Sequence, residues 1–251
     1  MARWAFLAYG VAAYLLFFAA ILYAIGFVGN LVVPKTIDGP QSPATSAGVI
    51  LLDVLLLAAF AVQHNVMARP QFKERWTRIV PWPIERSTFV AASSLLLLLL
   101  YWQWRPIPEP LWDIENVAAR AAIWTLYGLG WVLVFYSTFV IDHFELFGMK
   151  QVYRHFRGLP DETTPFSQRS LYRWVRHPLM LGFLIAFWAA PTMTLGRLLF
   201  AGVCTVWILF SIWLEERDLL RHLGEPYRSY RARTSMILPL PRGAQPDEQQ
   251  Q

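Results

Sequence analysis

Cysteine and charged side chains are both scarce in this chain. Of its 251 residues, 16% are charged and 56% are hydrophobic, whereas a soluble domain carries about 25% charged residues. The single cysteine, Cys204, excludes an internal disulfide and a metal site built from several thiolates. The composition therefore predicts a membrane protein, and the apolar neighbours of Cys204 predict a small core residue there.

Two nucleotide-binding signatures are also missing. The sequence has no GxGxxG ahead of a helix and no P-loop, so a Rossmann-type nucleotide site has no support. The formal net charge of +5 does not by itself indicate nucleic-acid binding, because membrane proteins collect basic residues in their cytoplasmic loops. We expect no nucleic-acid partner and no metal site.

Apolar stretches recur along the chain, and each is near the roughly 20 residues that cross a bilayer as a helix. The first four run from Trp4 to Val33, Gly48 to Met67, Phe89 to Trp104 and Ala121 to Ile141. A last block, Leu179 to Leu214, is too long for one span, and Pro191 to Arg197 predicts a break within it. The sequence therefore predicts an all-α polytopic transmembrane helical bundle of five or six spans. It ends in a helical hairpin and a cytoplasmic C-terminal segment.

Basic and acidic loops alternate between these spans. Segments 69–86, 142–178 and 215–251 are rich in arginine, whereas the loop from Arg105 to Arg120 has three acidic residues against two arginines. Because basic residues collect in cytoplasmic loops, we expect both termini in the cytoplasm. We expect residues 1–251 to form one integral membrane domain, with a cofactor-binding half at about 142–239 and a disordered tail at 240–251.

The stretch LYRWVRHPLMLGF, residues 171–183, places Arg176 and His177 directly before an apolar helix. Pro178 suits the first turn of a helix, and the residue before a proline is pushed toward an extended backbone. We therefore expect a helix that begins at Pro178, with His177 just outside it. The free amide groups at such a helix start attract carboxylate or phosphate, and Arg176 strengthens the attraction.

Glu215 and Glu216 lie at the far end of the hairpin, where two carboxylates oppose the helix dipole. Either Arg217 or Arg221 balances one of them, or they are the anionic anchors of a ligand site whose cationic anchors lie at the proline. Such a site suits a ligand with both charges, and S-adenosylmethionine is one. Spacing alone does not distinguish it from other zwitterions.

The run from Ser170 to Pro239 continues with LEERDLLRHLGEPYRSYRARTSMILP. Its RHP sequence, helical hairpin, Glu pair and LGEPYRSY (for FGxxYxxY, with leucine for phenylalanine) resemble the isoprenylcysteine carboxyl methyltransferase superfamily. The earlier segments QHNVMARPQFKERWTRIVPWPIERSTFV, WQWRP and IDHFELFGMKQVY are similar to those of bacterial methanethiol S-methyltransferases and their NnrU-like relatives. The resemblance implies methylation of methanethiol to dimethyl sulfide, S-adenosylmethionine as cofactor and a bacterial inner membrane location.

The resemblance also implies which residues contact the cofactor. Together with the charges of the hinge and the Glu pair, the expected cofactor-binding residues are Gln151, Tyr172, Arg176, His177, Pro178, Leu179, Met180, Glu215 and Glu216. One departure concerns the acceptor: Ser211 stands where the prenylcysteine enzymes place an arginine for the substrate carboxylate. The departure implies a small neutral thiol.

A thiol reacts far better as its thiolate, so a base is expected near the acceptor. His64, in FAVQHNVM, lies near the cytoplasmic end of the second span, and His143 and Glu145, in IDHFELFG, follow the fourth. A helix-end hydrogen bond for His64 and an interfacial salt bridge for the other two are the ordinary alternatives. Asp53 is expected near the outer interface, on the same helix face as His64.

Other functions stay open at the level of sequence. A methyltransferase for a larger lipid-like thiol or amine predicts a wide lipid-facing gap beside the proline, whereas a methanethiol enzyme predicts a small closed pocket lined by aromatics. A haem-binding bundle would use histidines of different spans, such as His64 and His143. A carrier or subunit without catalysis leaves the Glu pair unexplained. The sequence does not disclose the base, the thiol range, the entry route or the oligomeric state.

Overall fold

The computed structural model describes residues 2–39, 46–160 and 169–239, which form ten α-helices and two short strands. The helices are α1 (Ala2–Gly29), α2 (Ala47–Ala68), α3 (Pro70–Trp76), α4 (Glu85–Gln103), α5 (Val117–Ile141), α6 (His143–Leu146), α7 (Met149–Arg157), α8 (Pro178–Trp188), α9 (Leu195–Leu223) and α10 (Glu225–Arg233). The strands are β1 (Pro110–Asp113) and β2 (Thr192–Thr194), and 3₁₀ turns cover Trp82–Ile84 and Ser170–Arg173. The tail predicted to be disordered lies outside the described residues.

Five segments of the described chain are long and apolar enough to cross a membrane. They are α1, α2, the 3₁₀ turn with α4, α5 and α9. The predicted polytopic helical bundle is confirmed. Around its centre pack buried side chains from six helices, among them Phe27, Leu57, Trp104, Trp131 and Phe200.

The apolar segment that holds α8 is only partly helical. α8 has 11 residues and covers about 16 Å, which is too short for a hydrocarbon core of about 30 Å. After α8 the chain turns, with the amide of Ala190 donating to the carbonyl of Trp188 at 2.9 Å, and Thr192–Thr194 then form β2. Ala190 and Met193 in this segment are buried. Non-helical backbone at membrane depth is tolerated where protein covers it and supplies hydrogen bonds. β2 pairs with β1, and the amide of Ile114 donates to the carbonyl of Pro191 at 3.1 Å.

The predicted break in the last block lies slightly earlier than expected. Pro191 is outside a helix, as predicted, but residues 195–197 already belong to α9. The reason is a helix cap: the hydroxyl of Thr194 accepts a hydrogen bond from the amide of Arg197 at 3.1 Å. A threonine in this position satisfies an amide that otherwise has no helical partner.

Two glycines allow α5 and α8 to cross with their backbones in contact. A Cβ added at Gly130 would lie 2.8 Å from the amide nitrogen of Ala186, and one at Gly182 would lie 2.8 Å from the backbone of Val134. Small residues at helix crossings are the usual means of close packing in membranes. This crossing fixes the position of α8, and with it the start of α8 at Pro178.

The basic loops lie together on one side of the bundle. The ring of Trp4, at the start of α1, lies 4.5 Å from that of Phe156 in α7, which places the amino end beside segment 142–178. On the opposite side, the indole of Trp104 donates to the carbonyl of Ile37 at 3.1 Å. Asp53 is there too, accepting from the amide of Arg105 at 2.9 Å. Asp53 therefore lies near the end of α2 that is away from the basic loops.

Candidate functional site

The proline hinge has the predicted local structure. α8 begins at Pro178, and His177 lies before it with φ −127° and ψ 61°, which is outside the helical region but not fully extended. Among the described residues, no side-chain cap hydrogen bond is made at His177, so the amide groups after Pro178 keep their capacity for an anion. His177 itself is buried.

The hinge meets the Glu pair, which was the central spatial prediction. Nε of Arg176 donates to Oε1 of Glu216 at 2.6 Å, and Nε2 of His177 lies 3.2 Å from the same oxygen. The Arg176 and Glu216 side chains are only 4% and 8% exposed, so this is a buried ion pair. Nε of Arg231 approaches the other oxygen, Oε2, at 3.2 Å.

The segment that follows α10 packs over the hinge and hydrogen-bonds to its backbone. The amide of Arg176 donates to the carbonyl of Ser235 at 2.8 Å, and that of His177 donates to Met236 at 3.1 Å. The guanidinium of Arg176 also donates to the carbonyls of Arg231 and Thr234. Arg176 and Glu216 thus bind mainly each other and the backbone around them, so their predicted cofactor contacts stay a prediction.

Glu215 is the member of the pair that faces outward. Its side chain is 48% exposed, and its Oε2 lies 3.8 Å from Nδ1 of His177. Burial and the charge of Glu215 raise the pKa of Tyr172, so the phenol lies within electrostatic range of that carboxylate. The hydroxyl of Tyr230 donates to the carbonyl of Tyr172 at 2.6 Å and holds it there. Tyr172, His177 and Glu215 therefore form one cluster.

The remaining residues expected to contact the cofactor do not all lie at the hinge. Met180 packs against the buried side chains of Ile208, Ile212 and Ile237, while Leu179 is partly buried in the first turn of α8. Gln151 lies on α7, where its Oε1 accepts from the amide of Arg86 at 3.2 Å. The structure shows a contact from Gln151 to α4 and none to the hinge within the described residues.

The Tyr172, His177 and Glu215 cluster fits a zwitterionic ligand. The uncapped amides of α8 suit a carboxylate, and the half-exposed carboxylate of Glu215 suits an ammonium group or a hydroxyl pair. The alternative sequence interpretation was that Arg217 or Arg221 balances a glutamate. In the described chain, the ion pairs of Glu216 are with Arg176, His177 and Arg231 instead.

His64 lies within a group of aromatic rings at the basic end of α2. Its ring centroid is 5.4 Å from Phe60, 5.0 Å from Phe89 and 5.7 Å from Trp207. Its Nδ1 is 3.5 Å from the hydroxyl of Ser93. These rings pack against His64 from α2, α4 and α9, and both a catalytic role for His64 and a closed acceptor pocket stay predictions.

Asn65, the residue after His64, joins α2 to α9 close to the Glu pair. The hydroxyl of Ser211 donates to Oδ1 of Asn65 at 3.0 Å, and Ser211 lies one helical turn before Glu215. Arg69 and Asp218 form a 2.8 Å ion pair between the same two helices. The region around His64 therefore adjoins the Glu pair.

His143 has both ring nitrogens within hydrogen-bonding distance of hydroxyl groups. Nε2 lies 2.8 Å from the hydroxyl of Tyr14, and Nδ1 lies 2.8 Å from that of Thr138. Burial lowers the pKa of His143, and Asp142 opposes this only in part. The contacts of His143 are those of a neutral packing residue, and its catalytic role stays a prediction.

Glu145 lies close to a residue that sequence reasoning missed. Its Oε2 is buried and has no hydrogen-bond donor among the described residues. Its charge acts on the guanidinium of Arg86, in the first turn of α4. The sequence marks Arg86 only as one of several arginines in a basic loop, which is why it was assigned to topology alone.

A groove of about 1000 Å³ lies along the line where α2 and α9 meet and is lined mainly by residues of these two helices. Its lining is apolar except near Asn65 and Arg69 at the basic end, and it includes Gly202 and Trp207. It runs along the outer face of the two helices, where an apolar lining is what contact with lipid requires.

Comparisons with known proteins identify the family of this chain. A family model described as NnrU protein matches residues 52–240. The methanethiol S-methyltransferase of Mycobacterium tuberculosis is 54% identical over 241 residues, which is 96% of this chain and 98% of that protein. The chain belongs to the NnrU family.

Other relatives of this NnrU-family protein differ in their sequence identity to it and in how much of it they cover. Methanethiol S-methyltransferase 1 of Bradyrhizobium diazoefficiens is 56% identical over 233 residues, covering 92% of this chain and 81% of that protein. Nurim of Homo sapiens is 34% identical over 180 residues, 66% of each chain. No solved structure matches. The predicted membrane methyltransferase of the NnrU-like branch is confirmed by the bacterial relatives, and these proteins imply a methyl donor.

Proposed function

We propose that this NnrU-family protein transfers a methyl group from S-adenosylmethionine to methanethiol and so forms dimethyl sulfide. The observation that carries the proposal is the contact of His177, at the start of α8, with Glu215 and Glu216 near the end of α9. Relatives that align over nearly the whole chain are named for this reaction. Ser211, in place of an arginine, supports an acceptor without a carboxylate.

The cofactor S-adenosylmethionine supplies an electrophilic methyl group on a sulfonium. The amides after Pro178 would hold its carboxylate, while Glu215 would accept hydrogen bonds from its ammonium or ribose hydroxyls. Tyr172 would limit access of water from one side. Holding donor and acceptor sulfur in line is the main contribution expected of the protein.

The acceptor has to lose a proton, and His64 and Glu145 are the candidate bases. His64 lies in the aromatic surroundings that suit a small apolar thiol. Glu145 has a buried oxygen without a donor among the described residues. The hydrogen bonds of His143 leave it a positioning role. They also remove the support for haem bound between His64 and His143, because both ring nitrogens of His143 already have protein hydrogen-bond partners.

We further propose that residues 1–251 act as one membrane domain whose cofactor side is segment 142–239. The arginine-rich segments lie on the side of the hinge, so we place that side and both termini in the cytoplasm of a bacterial inner membrane. The cofactor then enters from the cytoplasm, where it is soluble, and the apolar thiol arrives through the bilayer or between helices.

The test is an assay of purified protein with S-adenosylmethionine and methanethiol, in which dimethyl sulfide is measured in the headspace. The wild type should form dimethyl sulfide, and the double variant His177→Ala, Glu215→Ala should not. Glu225→Gln serves as the matched control, because Glu225 is an exposed carboxylate whose ion-pair partner, Arg228, is exposed too. Equal product from the double variant and the control would contradict the proposal.

A further inference from the structure

Arg86 lies where α4, α6 and α7 meet at the basic side of the bundle. Its Nε donates to the carbonyl of Leu146 at 3.0 Å, and its amide donates to Gln151. The guanidinium carbon is 5.6 Å from the centre of the Phe89 ring, one turn along α4. These contacts fix the guanidinium group in one orientation.

The rest of the guanidinium group has no partner in the part of the chain that the structure describes. Within the described ranges, neither terminal nitrogen of Arg86 makes a hydrogen bond, and no carboxylate oxygen lies within 4 Å. The nearby Glu145 lacks a hydrogen-bond donor instead: its buried Oε2 receives no hydrogen bond from the same residues. The two groups are close enough for the negative charge of Glu145 to act on Arg86.

Polar groups left unsatisfied at such a place are costly. A single small ligand would satisfy both if it donated one hydrogen to Glu145 and offered an electron-rich atom to Arg86. A thiol has this combination, since S–H is a donor and its sulfur, once ionised, is an anion. A neutral thioether has no such hydrogen, so the product would lose one of the two contacts.

The position of this pair also suits an acceptor. Phe89, which carries the guanidinium on its face, lies 5.0 Å from the ring of His64. Asn65 follows in α2 and bonds to Ser211, one turn before Glu215. A path of direct contacts therefore leads from the proposed donor site to Arg86.

We propose that Arg86 is a catalytic residue that binds the sulfur of the thiol acceptor, and that Glu145 beside it accepts the thiol proton. This inference rests on the proposed function. In the proton step the S–H bond breaks, the proton moves to Oε2 of Glu145, and the electron pair stays on sulfur. The resulting thiolate faces the positive charge of Arg86, and Glu145 returns the proton to water after methyl transfer.

Other charged groups surround the pair and bear on its pH dependence. Within electrostatic range of Arg86 lie His64 in α2, Lys73 in α3 and Glu85 at the start of α4. Burial, followed by the charge of Arg86, lowers the pKa of Lys73. A cation nearby favours the ionised form of a bound thiol, so removing the charge of Arg86 should move the activity profile to higher pH.

The experiment compares two acceptors across pH. Selenols ionise at much lower pH than thiols, so methaneselenol reaches the enzyme already as an anion. Arg86→Gln should lower kcat/KM for methanethiol about 100-fold near pH 7 and move the pH profile upward by about 1 to 3 units. Glu145→Gln should impair methanethiol strongly and methaneselenol only slightly. Arg86→Lys, which keeps a positive charge, should retain more activity than Arg86→Gln at every pH.

Controls separate this inference from folding and from the proposed function. Arg78→Gln changes an exposed arginine in the same basic segment and should behave as wild type. Thermal unfolding in detergent should show that Arg86→Lys and Glu145→Gln are folded. Equal loss with both acceptors and an unmoved pH profile would overturn the inference while leaving the proposed function intact. A wild type inactive on either acceptor would overturn the proposed function itself.

Discussion

Arg176 and Glu216 form a buried ion pair with an Nε to Oε1 distance of 2.6 Å, and it joins the start of α8 to the end of α9. The two residues are 40 positions apart. The pair also receives His177 and Arg231, and the backbone after α10 closes over it. The ion pair therefore holds in place the end of α9 that carries the exposed Glu215.

Removing the charge of Glu216 should destabilise the protein. Glu216→Gln leaves Arg176 as a buried cation without its carboxylate, and such losses cost about 3–5 kcal/mol. The expected result is a clearly lower unfolding temperature in detergent, followed by tryptophan fluorescence. Glu225→Gln, in an exposed pair with Arg228, should change it little. Equal unfolding temperatures for the two variants would show that the buried pair contributes nothing.

The crossing of α5 and α8 should tolerate no additional methyl group. In Gly130→Ala the new Cβ would lie 2.8 Å from backbone of α8, and overpacking of this kind costs about 1–3 kcal/mol. Gly128→Ala is the matched control, because a Cβ there meets nothing within 4 Å. Thermal unfolding should separate the two variants, which lie two residues apart on the same helix. A Gly130→Ala protein as stable as Gly128→Ala would refute the close crossing.

Much of this architecture follows from local sequence signals. The start of α8 at Pro178 was predictable because proline has a strong positional preference in the first helical turn. The spans were predictable because hydrophobic length is set by the bilayer. The pairing of Arg176 with Glu216 was not, since charge patterns indicate that ions are present without specifying partners. Sequence reasoning therefore assigned both residues to the ligand, whereas the structure pairs them with each other.

Other features depend on distant elements and leave little trace in the sequence. Gly130 and Gly182 read as ordinary glycines in apolar helices, because their function depends on the partner helix. Arg86 reads as one arginine of a cytoplasmic loop, and only the fold brings Glu145 to it. The sequence predicted a break between α8 and α9 but not the strand Thr192–Thr194 within it, because pairing with β1 is a long-range contact.

Acid should destabilise the protein through His143. Burial lowers its pKa below the ordinary value of 6.5, so the unfolded chain takes up the proton before the folded chain does. The contribution to stability is complete above about pH 6.5 and is lost as the pH falls further. His143→Gln should flatten the fall in unfolding temperature between about pH 7.5 and 5.5. The exposed His222→Gln should keep it, and identical pH profiles for the two variants would exclude His143 as the cause.

The groove between α2 and α9 provides a test of substrate size. Gly202 lines it, and a Cβ added there meets nothing within 4 Å. Gly202→Leu should fill part of the groove without strain and leave methanethiol turnover within about twofold of wild type. An enzyme that uses the groove for a larger lipid-like thiol would instead lose activity toward that substrate. Turnover is measured as dimethyl sulfide in the headspace.

The account depends most on the binding of a sulfonium nucleotide between the start of α8 and Glu215. Calorimetric titration of purified protein with S-adenosylhomocysteine tests this without any methyl transfer. We expect one site per chain, and affinity about 10- to 100-fold weaker in Glu215→Gln, which loses a charge-assisted contact. Glu225→Gln should bind as wild type does. Absence of binding to the wild type, or equal affinity in Glu215→Gln, would contradict the account.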